Sequence, residues 1–484
     1  MYIISNHFTM KQQNLSVYPT YSKNMSTMAD HKTLHIAMYP FFAMGHFIPF
    51  LHISNKLAKR GHRISFLFPS KVLTKFEPQN LHPHLISFIP ITVPQVDGLP
   101  SGAAITADVP SSLFPSIMTA MDLTQPIVEI HLRELKPHFV FFDFTHWMPA
   151  LCRKLDIRSM FYVTSGAVNV AFLLTPEKKI MEKDDLELDV IMEPPESFPP
   201  CSIRLHAHEA RIVSNNTRPF GVNISLPRRL VTSLTECDVI GIKTCTELEG
   251  PYCQYLKTQY KKEVILAGPT VTESPNLVLE EPFASFVASF KPGTLILCVL
   301  GSECVLKKDQ YQELVLGLEL TGFPFLAALK PPTDAETTES ALPEGFQMRV
   351  KGKGLVFGGW VPQELILKHP SVGCFITHCG WGSLSQSITS PCQLVFLPNG
   401  VDQAVNARMF ESDLKIGVEI KKRDDGFFSR DEVCKAVRAV MDVDSQIGKE
   451  VRANHAKYRE LLLREGLEDS YIDKFVQKLL ATLG

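Results

Sequence analysis

Short apolar strands alternate with amphipathic helices along most of this 484-residue chain, and few folds accommodate that pattern. The first cycle runs from a buried strand at Leu34–Tyr39, through a helix at Pro49–Arg60, to a strand at Ile64–Phe68. Pro49 suits the first position of a helix, and Gly61 suits the position after its end. Strands separated by helices pair in parallel through right-handed crossovers. The pattern therefore predicts an α/β fold whose parallel sheets are covered on both faces.

The alternation starts again in the second half of the chain. Its predicted strands are Leu295–Leu300, Phe323–Lys330, Leu355–Phe357, Val372–Thr377, Gln393–Leu397 and Gly417–Ile420. Because a domain holds ~100 to 200 residues, we predict two Rossmann-like domains with their sheets facing across a cleft. We place the first domain at 33–268, a linker at 269–277 and the second domain at 278–484, with the last helix packing back on the first domain.

Composition narrows the class of protein. The net charge of −2 leaves no basic excess for nucleic acid, and no apolar run approaches the ~20 residues that span a bilayer. The eleven cysteines are scattered without a CxxC pair, so we expect reduced thiols in a cytosolic protein that binds no metal. We also expect the protein to be a monomer. Residues 1–32 are polar and lack a signal-peptide core, so we expect disorder there. Translation could start at Met1, Met25 or Met28.

One strand, turn and helix in the second half have the features of a phosphate site. The predicted strand Val372–Thr377 leads through the turn His378–Gly382 into a predicted helix at Ser383–Ser390. Glycines in the turn let backbone N–H groups and the positive helix end approach an anion. Ser383 is placed as the N-cap, and its hydroxyl could serve either the helix or the anion. Ser302, after another strand, is a second candidate contact.

The same segment carries residue types that suit the rest of a nucleotide sugar. Trp360 offers a flat ring for a base, and Gln363 offers an amide for a ribose. Asp402 and Gln403 could bind sugar hydroxyls. Each residue type is common, but this ordered set is specific, so the segment predicts a nucleotide-sugar site.

This segment resembles the C-terminal signature box of the plant family-1 UDP-glycosyltransferases. It matches that box at Trp360, Pro362, Gln363, His378, Cys379, Gly380, Trp381, Ser383, Pro398, Asp402 and Gln403. The resemblance extends over nearly the whole chain from His35 onward and implies a GT-B fold, with UDP in the C-terminal half and the acceptor in the N-terminal half. Gly382 and the sequence Asp473-Lys474-Phe475 resemble the branch that adds a sugar to a flavonoid or anthocyanin glycoside.

The resemblance also implies a role for each residue of the donor site. Trp360 would stack on uracil, Gln363 would bind the ribose, and His378 with Ser383 would hold the diphosphate. Trp381 would contact the transferred sugar through its backbone or ring edge, beside Asp402 and Gln403. Val361, Gly382 and Ser302 complete the predicted site. Gln386 stands where the family usually has a Glu that accepts both ribose hydroxyls, which predicts weaker donor binding.

The catalytic base is predicted at His46, in the loop after the first strand. A hydroxyl is a poor nucleophile until a base takes its proton. Asp143 ends the apolar strand Phe139–Phe142, where a charge needs a partner, so it is the candidate to orient His46, with a helix N-cap as the alternative. Phe42 and Trp147 are candidates for either the acceptor pocket or the core.

The predicted activity is an inverting transfer of a sugar from a UDP-sugar to a small plant metabolite. The favoured acceptor is a sugar hydroxyl of a flavonoid or anthocyanin 3-O-glycoside. Two alternatives stay open: glucosylation of an aglycone such as a flavonol or terpenoid, and a non-catalytic protein that binds UDP-sugars. No cofactor is expected.

Overall fold

Two parallel β-sheets form the framework of the protein, which confirms the predicted α/β class. The computed structural model describes residues 33–179, 187–214, 218–269, 278–301 and 303–484. The predictions for residues 1–32, for all but the first residue of the linker and for Ser302 lie outside these ranges.

The first sheet draws its strands from the first half of the chain. In the described residues these strands are β1 (His35–Tyr39), β2 (Arg63–Pro69), β3 (Ile86–Ile91), β4 (Phe139–Phe142), β5 (Arg158–Val163), β6 (Val239–Ile242) and β7 (Val264–Leu266). Their order across the sheet is β3-β2-β1-β4-β5-β6-β7, and neighbouring strands are parallel. The chain order changes direction between β1 and β4, and ligands of such sheets bind at this kind of switch point.

The second sheet repeats this arrangement. Its described strands are β8 (Leu295–Val299), β9 (Phe325–Ala328), β10 (Gly354–Phe357), β11 (Val372–Thr377), β12 (Gln393–Phe396) and β13 (Gly417–Glu419). They lie in the order β10-β9-β8-β11-β12-β13, with a switch point between β8 and β11. Predicted site residues follow the strands at both switch points: His46 and Asp143 come after β1 and β4, and His378 comes after β11.

Helices connect the strands throughout the described chain. Those of the first half are α1 (Met44–Ala58), α2 (Leu73–Phe76), α3 (Phe114–Asp122), α4 (Gln125–Leu135), α5 (Met148–Lys154), α6 (Ala167–Leu173), α7 (Leu188–Met192), α8 (Ala207–Ser214), α9 (Leu226–Glu236) and α10 (Thr246–Tyr260). Those of the second half are α11 (Phe283–Ala288), α12 (Lys308–Thr321), α13 (Thr338–Ala341), α14 (Phe346–Arg349), α15 (Gln363–Leu367), α16 (Trp381–Ser387), α17 (Val401–Arg408), α18 (Arg430–Met441), α19 (Gln446–Leu462) and α20 (Leu467–Thr482). None of these helices is long and apolar enough to cross a membrane.

The first helix begins earlier than its proline suggests. α1 starts at Met44, so the prediction of Pro49 as its first residue is wrong. A proline inside a helix removes one backbone hydrogen bond, but Phe47 and Phe50 are buried on this helix and favour its continuation. The earlier start places His46 in the first turn of α1.

The last helix returns to the first sheet. On α20, Phe475 is buried with its ring 6.0 Å from that of Phe141 in β4. Arg60, beyond the end of α1, pairs with Asp469 and Asp473 on the same helix. Buried aromatic contact thus joins the C-terminus to the N-terminal half, with exposed ion pairs at its margin.

All eleven cysteines lie in the described part of the chain as free thiols. Most are buried, and burial raises the pKa of the Cys237 and Cys392 thiols to about 11. A thiol with so high a pKa stays protonated near neutral pH and reacts slowly. These cysteines therefore behave as small apolar side chains of the core.

Candidate active site

His46 and Asp143 come together because they follow neighbouring strands. β1 and β4 pair with Tyr39 opposite Phe142, so the chain leaves both strands at the same edge of the sheet. His46 Nδ1 lies 2.5 Å from Asp143 Oδ2, while Asp143 Oδ1 accepts hydrogen bonds from the backbone N–H groups of Phe41 and Phe144, each at 2.7 Å. Asp143 is only 2% exposed and His46 is 20% exposed. The carboxylate is fixed in place, and His46 Nε2 remains to meet a substrate.

Carboxylates control the charge of His46. Burial alone would lower the pKa of this imidazole, but the charge and hydrogen bond of Asp143 outweigh burial, with smaller effects from Glu303 and Asp402. The pKa of His46 therefore lies above its ordinary value. Such an imidazole accepts a proton readily, and its cation is stabilised once the proton has been transferred.

Three aromatic side chains form an apolar wall beside His46. The rings of Phe41 and Phe144 stack at 4.7 Å and meet the imidazole edge-on at 5.4 and 5.0 Å. Phe220 lies 6.1 Å from Phe41 and 6.3 Å from Phe144. Such a wall can pack against a flat ring system, so it is a candidate acceptor surface. Sequence patterns did not single out these residues, although Phe41 and Phe144 each come two residues after the ends of β1 and β4.

Phe42 and Trp147 lie in the core, the second of the two positions predicted for them, and not in the wall beside His46. Phe42 is fully buried and packs edge-on against Tyr39 at 5.9 Å. Trp147 is 9% exposed, and its Nε1–H donates to the buried Asp122 carboxylate at 3.0 Å. Because the chain turns sharply after β1, consecutive phenylalanines point into different layers, and Phe41 meets His46 while Phe42 enters the core.

The predicted ribose contacts form one polar cluster. Gln363 opens α15, and its Nε2 donates to Gln386 Oε1 at 2.8 Å and to Ser383 Oγ at 3.4 Å. Trp360 lies three residues before Gln363 and is 80% exposed, whereas Val361 is buried. The exposed indole of Trp360 offers a flat face on which a nucleobase could stack.

His378 lies in a narrow space between two glycines of the second sheet's loops. A Cβ atom at Gly301 would come within 2.8 Å of the imidazole, and one at Gly380 within 2.5 Å. Burial lowers the pKa of His378 to about 4, so the ring is neutral near pH 7. Its Nδ1 has no partner among the described residues. His378 can therefore offer a ligand a hydrogen bond but not a charge.

The helix after His378 begins earlier than predicted. α16 starts at Trp381 with Gly380 as its N-cap, so the prediction of Ser383 as the N-cap is wrong. Cys379 adopts a left-handed conformation with φ of +66°, which turns the chain sharply enough for this early start. Ser383 then lies in the first turn of α16. Gly382 beside it is exposed, and a Cβ atom added there would meet open space.

Trp381 joins the two halves of the molecule. Its indole N–H donates to the backbone carbonyl of Lys243 at 2.8 Å, and the ring packs against Gly166. The side chain is buried. The ring is occupied by this contact, so the backbone of Trp381 is the part that can meet a sugar.

Asp402 and Gln403 lie in the first turn of α17. Asp402 is accessible to solvent, but the protein atoms around it disfavour its negative charge and so raise the pKa of its carboxyl. The positive charge of His46 lowers this pKa, and the negative charge of Glu303 raises it. Gln403 Oε1 accepts a hydrogen bond from the backbone N–H of Asn399 at 2.9 Å. Asp402 and His46 therefore interact electrostatically, although the two residues belong to different halves of the chain.

Glu303 is a further charged residue that acts on both His46 and Asp402, and sequence patterns did not identify it. It is exposed, and its Oε1 accepts a hydrogen bond from the Thr106 hydroxyl of the first half at 2.7 Å. Its position just after the strand β8, at the switch point, was the signal that could have found it.

Comparison with known proteins agrees with this geometry. The model of the family described as UDP-glucoronosyl and UDP-glucosyl transferase matches residues 347–451. A cyanidin 3-O-galactoside 2''-O-xylosyltransferase of Actinidia chinensis var. chinensis is 52% identical over 93% of this chain and 99% of its own length. An anthocyanidin 3-O-glucoside 2''-O-glucosyltransferase of Ipomoea nil is 50% identical, over 93% of this chain and 99% of its own.

A solved structure shares the fold. It is UGT2 of Phytolacca americana, complexed with UDP-2fluoro-glucose and pterostilbene, and it superposes with a TM-score of 0.75 over 93% of this chain and 100% of that one. The sequence identity is 24%, so this likeness concerns the fold. The sequence identities show that the chain belongs to the UDP-glycosyltransferase family, and the solved structure shows that it has the GT-B fold.

Proposed function

We propose that this protein transfers a sugar from a UDP-sugar to a hydroxyl on the sugar of a flavonoid or anthocyanin 3-O-glycoside. The observation that carries the proposal is the His46–Asp143 contact of 2.5 Å, placed within electrostatic reach of Asp402 from the nucleotide-binding half. The names of the Actinidia and Ipomoea relatives support this acceptor class. Because one relative is named for xylose and the other for glucose, both remain candidate donors.

In the proposed reaction, His46 Nε2 takes the proton of the acceptor hydroxyl while that oxygen attacks the anomeric carbon. The new carbon–oxygen bond forms as the bond to UDP breaks, and UDP leaves with the negative charge. Asp143 holds the imidazole by Nδ1 and stabilises its cation. One displacement on the face opposite UDP inverts the anomeric carbon.

Mutation of the base tests the catalytic part of the proposal. We expect His46→Ala to lower the transfer rate at least ~100-fold, because the hydroxyl loses its proton acceptor. UDP affinity measured by calorimetry should not change, since His46 belongs to the acceptor half. If most of the turnover survives, another base acts and this assignment fails.

A substrate panel separates the candidate functions. The protein is incubated with UDP-glucose, UDP-xylose, UDP-arabinose or UDP-rhamnose against a flavonol, a terpenoid alcohol and their 3-O-glucosides, and products are weighed by mass spectrometry. Disaccharide products support the proposal, and products from aglycones alone support direct glucosylation. UDP-sugar binding with no product would identify a non-catalytic binding protein.

The proposal also includes a cytosolic monomer that needs no metal. In this proposal His46 supplies proton transfer, and the neutral imidazole of His378, whose Nδ1 has no partner among the described residues, forms a hydrogen bond with the leaving diphosphate, so the chemistry assigns no task to a cation. Dialysis against EDTA should leave the rate unchanged. A lasting loss that magnesium restores would contradict this part, and light scattering tests the oligomeric state.

A further inference from the structure

Glu303 places a carboxylate in the catalytic cleft that the mechanism above does not use. It follows β8 at the switch point of the second sheet, and its Oε1 accepts the hydrogen bond of the Thr106 hydroxyl at 2.7 Å. Thr106 is buried in the acceptor half, and Glu303 is exposed. The carboxylate is therefore held towards the acceptor half by one oxygen, and the other oxygen is available to a ligand.

Three carboxylates act electrostatically on His46: Asp143, Glu303 and Asp402. Asp143 is buried, and both of its oxygens are engaged by His46 and by backbone N–H groups. Asp402, in the nucleotide-binding half, has the predicted task of binding the donor sugar. Of these three carboxylates, Glu303 is therefore the one that is left to bind the acceptor.

We infer that Glu303 accepts hydrogen bonds from hydroxyls of the acceptor's own sugar and so directs one neighbouring hydroxyl towards His46. This inference rests on the proposed function, in which the acceptor is a glycoside. A carboxylate forms charge-assisted bonds with hydroxyl groups, and these are stronger than neutral ones. The phenylalanine wall at Phe41 and Phe144 suits the flat part of the same acceptor. A glycoside has a sugar for Glu303 to bind and a flat ring system for the phenylalanine wall, whereas an aglycone has only the ring system. The two contacts together therefore favour a glycoside over an aglycone.

Two variants of Glu303 test the inference. We expect Glu303→Ala to lower kcat/KM for a 3-O-glucoside acceptor by about ten- to a hundredfold, the effect of losing charge-assisted hydrogen bonds. Glu303→Gln keeps an acceptor oxygen and should lose less. The KM for UDP-sugar and the affinity for UDP should stay as in the wild type.

Matched controls separate this role from structural effects. Glu319→Gln removes a partly exposed carboxylate that pairs with Arg349 outside the cleft, and it should leave all parameters unchanged. Thr106→Val removes the hydroxyl that holds Glu303 and should raise the KM for the glycoside more than it lowers kcat. Unchanged melting temperatures establish that the Glu303 variants are folded.

The pH profile gives an independent readout. The negative charge of Glu303 helps to hold His46 protonated, so Glu303→Gln should move the acidic limb of the kcat profile to lower pH. A merely structural side chain would not produce this displacement. An unmoved limb would contradict the placement of Glu303 beside the base.

The outcomes distinguish the two proposals. If the wild type glycosylates 3-O-glucosides and the Glu303 variants lose nothing, the inference fails and the proposed function stands. A rise in the KM for UDP-sugar would assign Glu303 to the donor, and an equal loss on aglycones would remove its role in selectivity; either result overturns the inference. If the wild type uses no glycoside, the proposed function fails first and the inference fails with it.

Discussion

The side chain of Asp143 determines which nitrogen of His46 carries the proton. Its Oδ2 accepts from Nδ1, and its Oδ1 accepts from two backbone N–H groups. In Asp143→Asn the amide N–H₂ would face Nδ1 and donate to it, so the ring proton would move to Nε2. We expect transfer to fall by about 10³- to 10⁴-fold with UDP affinity unchanged. A mild loss would show that His46 does not depend on this partner.

The pH dependence follows from the same pair. The neutral imidazole is the active form, and carboxylates raise its pKa, so the wild-type rate should increase with pH through a value above 6.5. The residual activity of Asp143→Asn should show this limb at lower pH, because the main charge that stabilises the imidazolium is gone. Measuring kcat/KM between pH 5 and 9 for both proteins checks the direction.

Gln386 is the predicted departure from the family pattern, and its expected effect on donor binding can be measured. Its Oε1 accepts from Gln363 Nε2 at 2.8 Å, and a carboxylate would keep that bond while adding charge. We expect Gln386→Glu to tighten UDP binding about fivefold, or ~1 kcal/mol, since hydrogen bonds to charged groups are stronger. Gln446→Glu, an exposed site in the same half, controls for net charge. Calorimetry showing equal or weaker binding would reject this account of Gln386.

The turn between β11 and α16 tolerates little change at Gly380. At Gly380 an added methyl would lie 2.5 Å from His378 Nε2, so the ring would have to leave its place. We expect Gly380→Ala to weaken UDP binding about tenfold or more with a small change in melting temperature. Gly382→Ala, where the space is open, should lose much less. Equal losses for the two variants would indicate that His378 does not organise the site.

The junction of the two halves contains a carboxyl group with an unusual pKa. Glu249 is fully buried beside Gly166, and burial raises the pKa of its carboxyl to about 7. Its Oε1 accepts from the Val168 N–H at 2.9 Å, while Oε2 has no hydrogen-bond partner among the described residues. The neutral form is therefore favoured in the folded protein, and its contribution to stability is present below pH ~4.5 and lost as the pH rises through about 7.

Replacing Glu249 by its neutral analogue should remove that pH dependence. We expect Glu249→Gln to raise the free energy of unfolding at pH 8 by roughly 2 to 3 kcal/mol and to change it little at pH 5. Urea unfolding at the two pH values measures the difference. Destabilisation by Glu249→Gln at pH 8 would mean that the junction needs the charge.

Much of this molecule follows from local sequence. The predicted strand Val372–Thr377 matches β11, and Phe139–Phe142 matches β4, because short runs of apolar residues can hardly form anything else between helices. Helix starts were harder to predict. Both Pro49 and Ser383 are good start signals, yet α1 and α16 begin before them, since buried aromatic residues on the preceding turn extend each helix.

The sequence predicted the α/β class, which the two parallel sheets confirm, and the pairing of His46 with Asp143, which their contact shows. The donor segment stays a prediction. These inferences depended on residues near in sequence, on the rule that sites follow strand ends and on the family resemblance. Folding was needed to show that Phe41 faces the base while Phe42 enters the core, and that Glu303 meets Thr106. Those contacts join residues far apart in the chain, and their geometry depends on how the loops of two sheets pack, which no local pattern encodes.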